Sequence, residues 1–155
     1  MMKKYFANNV VVFAGLFCLN IISATLFSAL GKYLGIDLDN MEDTGLSATE
    51  MVVVIVFIAP LLETFFCQYL IFELFTKGLK LKNDIVCLLL MSLIFALLHH
   101  YNWLYMVAAF VGGVLLNTLY IILRKRIGGV RSFFLTVLFH VLYNSLAEIV
   151  NHYTS

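Results

Sequence analysis

Charge is scarce in this sequence. Only 12% of its 155 residues are charged and 63% are hydrophobic, whereas roughly a quarter of the residues in a soluble domain are charged. The formal net charge is +1, and the sequence has no basic stripe and no nucleic-acid-binding motif, which excludes nucleic acid as a partner. No polar stretch is long enough to form a soluble module. We therefore expect a single membrane domain over residues 1–155.

Cysteine and proline are also scarce. The three cysteines, Cys18, Cys67 and Cys87, lie in apolar runs, and an odd number without clustered spacing predicts neither a disulfide framework nor a zinc knuckle. We expect all three to be small buried residues. The single proline, Pro60, precedes Glu63 by three residues in the stretch IAPLLETFFCQYL. A proline frees the carbonyl one turn earlier, so it either opens room beside Glu63 or only kinks the helix for packing.

Long apolar runs, in contrast, are frequent. Each membrane-spanning helix needs about 20 residues, and five runs approach or reach that length: Val10–Leu30, Met51–Phe72, Ile85–Tyr101, Trp103–Leu123 and Phe133–Val150. The first run is longer than the roughly 7–15 apolar residues of a signal peptide, so we expect a retained helix. The sequence predicts an all-α, polytopic membrane helix bundle with about five transmembrane helices.

The charged residues of the loops predict an orientation. With five crossings, the basic clusters fall on one face of the membrane: Lys3, Lys4, Lys77, Lys80, Lys82, Arg124, Lys125, Arg126 and Arg131. The opposite face carries mostly acidic residues: Asp37, Asp39, Glu42, Asp43 and Glu50. By the positive-inside rule we expect a cytoplasmic N-terminus and an outside C-terminus. We expect an integral protein of a bacterial cell membrane, in contact with the lipid bilayer.

Few polar residues lie within the apolar runs. Glu63 lies near the middle of the second run, where a charged residue costs on the order of 2.5–3.5 kcal/mol, so function is the default explanation. His99 closes the third run, and His140 and Asn144 lie four residues apart on one face of the fifth. A carboxylate and two imidazoles on three helices can share a proton network, which lowers the cost of burying all three.

Such a set of side chains has two chemical uses. Glu63 can act as a general base that removes a proton from water, while an imidazole stabilises the developing oxyanion. Alternatively, two His and one Glu can form an open zinc site, but the H-E-x-x-H spacing is absent, so we expect no metal. Cys67, one turn from Glu63, is a weaker candidate nucleophile because a thiol in apolar surroundings reacts poorly.

Three short motifs follow one another along the chain. They are ETFFCQ at residues 63–68, FALLH at 95–99 and HVLYN at 140–144. Their order resembles the CPBP family, the CAAX-protease and bacteriocin-processing (Abi) family of intramembrane glutamic endopeptidases, whose motifs are E-E-x-x-x-R, F-x-x-x-H and H-x-x-x-N. The resemblance covers roughly residues 50–150, which we expect to form the CPBP/Abi-like core.

This resemblance implies a role for each matching residue. Glu63 would be the water-activating base, and His99 and His140 would position water and stabilise the oxyanion. Asn144 would support the oxyanion or orient its helix neighbour, and Phe95 is the supporting aromatic residue of the second motif. The resemblance implies no metal and no other cofactor, and a substrate that is a membrane-embedded or lipidated peptide or lipoprotein.

The first motif departs from the family pattern at two positions. Thr64 replaces the second Glu and Gln68 replaces the Arg. Residues four apart face the same way on a helix, so we expect Thr64 and Gln68 to replace an ion pair with a neutral hydrogen bond. Because both charges are lost together, no unpaired charge is left in the membrane.

Two alternatives to proteolysis stay open at this point. The same base could deprotonate an amine, and the resemblance includes members linked to lipid modification, so acyl transfer to a lipoprotein amino terminus is one alternative. The other is a non-catalytic protein, either a bacteriocin-immunity factor or a partner of another membrane protein. A transporter is less favoured, because the sequence shows no internal repeat.

Overall fold

A computed structural model describes the backbone of residues 2–38 and 45–154 and the side chains of residues 8–38 and 45–150. All regular structure in these ranges is helical. We number five helices along the chain: α1 (Met2–Leu34), α2 (Ala48–Gly78), α3 (Asp84–Leu98), α4 (Trp103–Ile127) and α5 (Gly129–Thr154). Four of them are long and apolar enough to cross a membrane, and α3, with 15 residues, is shorter. The predicted all-α membrane helix bundle is confirmed.

The third helix ends at Leu98, three residues before the end of the apolar run Ile85–Tyr101. His99 leaves the helix with φ −105° and ψ 49°, and the side chain of Asn102 caps the next helix by accepting from the N–H of Tyr105 at 2.8 Å. Fifteen residues rise only about 22 Å, less than the ~30 Å of a hydrocarbon core. Helix α3 is therefore too short to cross the hydrocarbon core by itself.

Basic residues at the end of α4 hold several helix ends together. Three contacts do so: Arg124 with Glu73, Lys125 with Asp84, and Arg126 with Asn9. The C-terminal ends of α2 and α4 and the N-terminal regions of α1 and α3 therefore lie at one end of the bundle. Helices that cross a membrane in alternating directions require this arrangement of their ends.

Glycine forms the connection between α4 and α5. Gly128 is the single residue between the two helices and has φ +88° and ψ 166°. A side chain is strained at such a positive φ, whereas glycine adopts it readily. This tight reversal packs α5 directly against α4.

Helix α4 is the centre of the packing. It contacts α1, α3 and α5, and its residues contribute to two apolar clusters. The first contains Cys67, Phe95, Leu116, Leu119, Leu123 and Phe139. The second contains Phe72, Phe75, Cys87, Met91, Tyr120 and Ile121. Many large apolar side chains outside these clusters are exposed on the bundle surface, as expected where lipid is the solvent.

The cysteines are not all buried as the sequence predicted. Cys67 and Cys87 are buried in the two apolar clusters, but Cys18 is exposed. Cys18 lies on α1, which is mostly exposed along its length. The prediction was wrong for Cys18 because a helix surface that faces lipid is as apolar as a protein core, so the sequence does not distinguish the two.

Helix α2 is not a regular α-helix. Three π-helical segments, Val54–Ile58, Thr64–Leu70 and Leu74–Gly78, interrupt it. A single α-helical segment, Ala59–Glu63, separates the first two and contains Pro60. Segments of π-helix are rare and often mark functional sites. Glu63 is the last residue before the second of them.

Candidate active site

Three ionisable side chains from three helices meet inside the bundle. Glu63 projects from α2, His99 follows the last residue of α3, and His140 projects from α5. The Oε2 atom of Glu63 lies 3.7 Å from Nε2 of His99 and 3.7 Å from Nε2 of His140. The side chains are 26%, 15% and 8% exposed, respectively. The end of α3 at Leu98 leaves His99 within 3.7 Å of Glu63, so the two lie at the same level, a point that the sequence left open.

The His99 ring is oriented by the backbone of its own helix. Its Nδ1 lies 2.7 Å from the carbonyl oxygen of Phe95. A carbonyl only accepts hydrogen bonds, so Nδ1 carries a proton and, in the neutral ring, Nε2 does not. Nε2 of His99 and the carboxylate of Glu63 then present lone pairs to each other. A proton shared between this nitrogen and the carboxylate removes the repulsion between their lone pairs. Such a pair can accept one proton and return it.

Thr64 contacts the second imidazole from the neighbouring position on α2. Its hydroxyl oxygen lies 3.4 Å from Nδ1 of His140, and both residues are buried. A hydroxyl can donate or accept. If it donates to Nδ1, the proton of the neutral ring lies on Nε2, which points at Glu63. The threonine at the family's second Glu position therefore still contacts the site.

Phe95 packs against both imidazoles. Its ring centroid lies 4.4 Å from that of His99 and 6.0 Å from that of His140, and the residue is buried. A Cβ atom added at Gly113 of α4 would lie 3.2 Å from Phe95. The absence of a side chain at Gly113 thus lets α4 pack closely against Phe95.

Gln68 does not form the expected hydrogen bond with Thr64. Gln68 is completely buried, yet neither its amide nitrogen nor its amide oxygen has a hydrogen-bond partner among the described residues. The Thr64 hydroxyl points to His140 instead. The expectation that Thr64 and Gln68 form a neutral hydrogen bond in place of the ion pair was wrong. The two residues lie within a π-helical segment, and the Thr64 hydroxyl contacts His140 on α5.

Asn144 lies one turn beyond His140 on α5 and bonds to the backbone of α2. Its Nδ2 donates to the carbonyl oxygen of Ile55 at 2.9 Å. Of the two roles that the resemblance implied, this contact matches the orienting one. The amide proton that makes this bond is not available to an oxyanion at the same time.

Other residues near the site were not identified from the sequence. The ring of Tyr105 lies 5.9 Å from that of His99, and Tyr105 also lines a cavity of about 570 Å³ together with Ile55 and Asn144. Gly113 was not identified either, although glycine in a helix interior is a recognisable signal of close packing. Tyr105 carried no such signal, because aromatic residues are common throughout the chain.

The structure is that of an integral membrane protein in which long apolar helices enclose one carboxylate and two imidazoles. The chain belongs to the family described as Type II CAAX prenyl endopeptidase Rce1-like, whose profile matches residues 45–146. Searches of curated proteins and of solved structures found no match. The family is a CAAX-type protease family within the CPBP group, so the resemblance seen in the three motifs is confirmed. Helix α1 lies outside the matched residues.

Proposed function

We propose that this chain is a metal-independent intramembrane endopeptidase that cleaves a membrane-embedded or lipidated peptide. One observation carries the proposal: a single oxygen of Glu63 lies 3.7 Å from Nε2 of both His99 and His140. A base held between two imidazoles in a mostly buried site has the partners that hydrolysis of an amide requires. Membership of a protease family supports the same reaction.

Glu63 is the base in this mechanism. Its carboxylate takes a proton from water as the water oxygen attacks the peptide carbonyl carbon, which forms the new C–O bond. The same proton then passes to the leaving amine nitrogen as the C–N bond breaks. The carboxylate is regenerated and no external oxidant, reductant or metal enters the balance. His99, whose Nε2 faces Glu63, orients the water and shares the proton with the carboxylate.

His140 is the donor to the oxyanion. When the Thr64 hydroxyl donates to Nδ1 of His140, the N–H at Nε2 is available for the negative charge that develops on the carbonyl oxygen. A neutral donor suffices for this role, and a buried neutral imidazole is far cheaper in the membrane than a charged one. Thr64 then acts through His140 and sets its tautomer.

The surroundings of the site favour a substrate that reaches it from the bilayer. Phe65 and Phe66, next to Glu63 in the chain, are exposed on the apolar surface of α2, and Glu63 itself is about a quarter exposed. An apolar anchor on the substrate would partition into the same layer. We place the basic end of the bundle on the cytoplasmic side, with the N-terminus inside and the C-terminus outside.

The experiment that tests the proposal compares the membrane proteome of a deletion strain rescued with wild type or with Glu63→Gln at matched protein levels. Gln keeps the shape of the side chain and removes the base. We expect mass spectrometry to find new peptide ends with wild type that are lost with Glu63→Gln. Glu50→Gln makes the same chemical change at the exposed start of α2, where Gln can keep the capping contact with Ser47, and should retain cleavage.

Identical peptide ends in the wild-type and Glu63→Gln strains would overturn the proposal. An acyl-sized mass shift on lipoprotein amino termini, in place of new ends, would instead indicate the acyl-transfer reaction. Loss of Glu63→Gln protein from the membrane, with no chemical change in other proteins, would indicate a non-catalytic protein in which Glu63 only packs.

A further inference from the structure

The backbone of α2 lacks one hydrogen-bond donor just before the site. In the first π-helical segment the N–H of Ala59 donates to the carbonyl of Val54, five residues back. The next donor in this register, to the carbonyl of Ile55, would be the N–H of residue 60. Residue 60 is proline, which has no N–H. The Ile55 carbonyl therefore has neither of its usual backbone donors. The N–H of Ala59, its donor in an α-helix, bonds Val54, and residue 60, its donor in a π-helix, has no N–H.

Asn144 supplies the missing donor from another helix. Its Nδ2 lies 2.9 Å from the Ile55 oxygen. The carbonyl can only accept, so the amide nitrogen, and not the amide oxygen, must face it. An unpaired carbonyl in an apolar interior is costly, which gives Pro60 and Asn144 a reason to occur together in this chain.

This contact lies next to the reacting groups. His140 is one helical turn before Asn144 on α5, and Glu63 is one turn after Pro60 on α2. The Asn144–Ile55 bond therefore fastens α5 to α2 on one side of the Glu63–His140 pair. A second contact joins His140 to Thr64, the residue next to Glu63. Two cross-helix contacts therefore set the distance between Glu63 and His140.

We propose that Asn144 is a positioning residue that replaces the backbone donor missing at Pro60 and thereby holds His140 against Glu63. It acts through the hydrogen bond to the Ile55 carbonyl. The positioning role rests on the proposed function, whereas the pairing of Asn144 with Pro60 does not. The two can therefore fail separately.

A double-mutant cycle tests the pairing. Pro60→Ala restores a backbone N–H that can bond the freed carbonyl, and Asn144→Leu removes the side-chain donor at similar size. In the Pro60 background, Asn144→Leu should lower the melting temperature of the purified protein in detergent by several degrees. In the Pro60→Ala background, the same substitution should lower it by clearly less.

The same cycle, run on activity, tests the positioning role. The probe is an internally quenched, prenylated CAAX peptide, the substrate class that the family description names. At matched amounts of folded protein, Asn144→Leu should reduce kcat roughly tenfold with little change in KM, because a small displacement of a reacting group lowers the rate by one to two orders of magnitude. Pro60→Ala should recover most of that loss.

Ser145→Ala is the matched control. Ser145 is next to Asn144, but its hydroxyl bonds the carbonyl of Val141 within α5. Its effect should be the same in both backgrounds. If Asn144→Leu lowered the melting temperature equally in both backgrounds, the pairing would be overturned. If the Pro60 background changed the effect of Asn144→Leu on melting temperature but not on kcat, the positioning role would be overturned. If the wild type cleaves no peptide, the proposed function fails, while the melting-temperature cycle still decides the pairing.

Discussion

Glu63 is tolerated inside the bundle because two imidazoles meet it there. Both lie at 3.7 Å from one carboxylate oxygen, and the His99 tautomer is set by the Phe95 carbonyl. The family pattern has a second acid directly after the base, and this chain has Thr64. At the residue scale, a hydroxyl can set the tautomer of His140 without placing a second charge in the membrane.

Thr64→Val should lower kcat/KM for the prenylated CAAX peptide roughly fivefold or more, since a typical hydrogen bond contributes about 1 kcal/mol. Valine has the same shape and removes only the hydroxyl. Steady-state kinetics of purified protein provide the measurement.

Two further variants make this test specific. Thr64→Ser keeps the hydroxyl and should retain most of the activity. Thr118→Val removes a hydroxyl that bonds the Val114 carbonyl within α4 and should have little effect. If Thr64→Val were as active as wild type, Thr64 would have no role in the tautomer of His140.

At the scale of helices, the site depends on how closely α3 approaches α4. Two adjacent glycines on α4 differ in what a side chain would meet. A Cβ at Gly113 would lie 3.2 Å from the Phe95 ring, whereas a Cβ at Gly112 would be in ordinary contact, 3.6 Å from Asn20. The Phe95 ring cannot move freely, because it packs on both imidazoles.

Gly113→Ala should therefore destabilise the protein by about 1–3 kcal/mol, the usual cost of overpacking. It should also reduce activity at matched folded protein, because a displaced Phe95 moves His99. Gly112→Ala should be neutral or stabilising by up to about 1 kcal/mol, since alanine favours the helix. Thermal unfolding of the two variants side by side tests this, and equal effects at both positions would contradict it.

The sequence predicted the helices well and their irregularities poorly. Apolar length alone located all five helices, because a bilayer demands long apolar runs. It could not locate the end of α3, because His99 and Tyr101 extend the run without extending the helix. It could not show the π-helical segments of α2 either, since the first two pack against α5, which is distant in the sequence. The motifs gave Glu63, His99, His140 and Asn144 as candidates. Pro60 indicated a freed carbonyl, but nothing in the sequence showed that Asn144 would bond it.

At the scale of the whole molecule, one ion-paired end holds the bundle together. Glu73 accepts two hydrogen bonds from Arg124, at 2.9 and 2.7 Å, and pairs with Lys77 at 2.6 Å. The Lys77 side chain is 73% exposed, whereas that of Arg124 is 27% exposed. Exposed ion pairs contribute little to stability, whereas removing one partner of a less exposed pair is more costly because it leaves the other charge uncompensated.

Arg124→Met should thus lower the free energy of unfolding by about 1–3 kcal/mol, because it removes both hydrogen bonds that Oε1 of Glu73 accepts from Arg124. Lys77→Met should lower it by less than about 1 kcal/mol. Denaturation of both variants in detergent, followed by circular dichroism, provides the comparison. A larger effect for Lys77→Met would show that the exposed lysine, and not Arg124, stabilises this end.

The orientation of the whole molecule follows from the charges at its two ends. Lys80 lies in the loop between α2 and α3, near the ion-paired end, and Tyr101 lies in the exposed part of the turn between α3 and α4. In a Cys18→Ala background, where the remaining cysteines are buried, a membrane-impermeant maleimide should label Tyr101→Cys in intact cells. It should label Lys80→Cys only after the membrane is permeabilised, because basic loops stay in the cytoplasm. The reverse pattern would invert the bundle and place the Asn102 turn, with His99 beside it, on the cytoplasmic side.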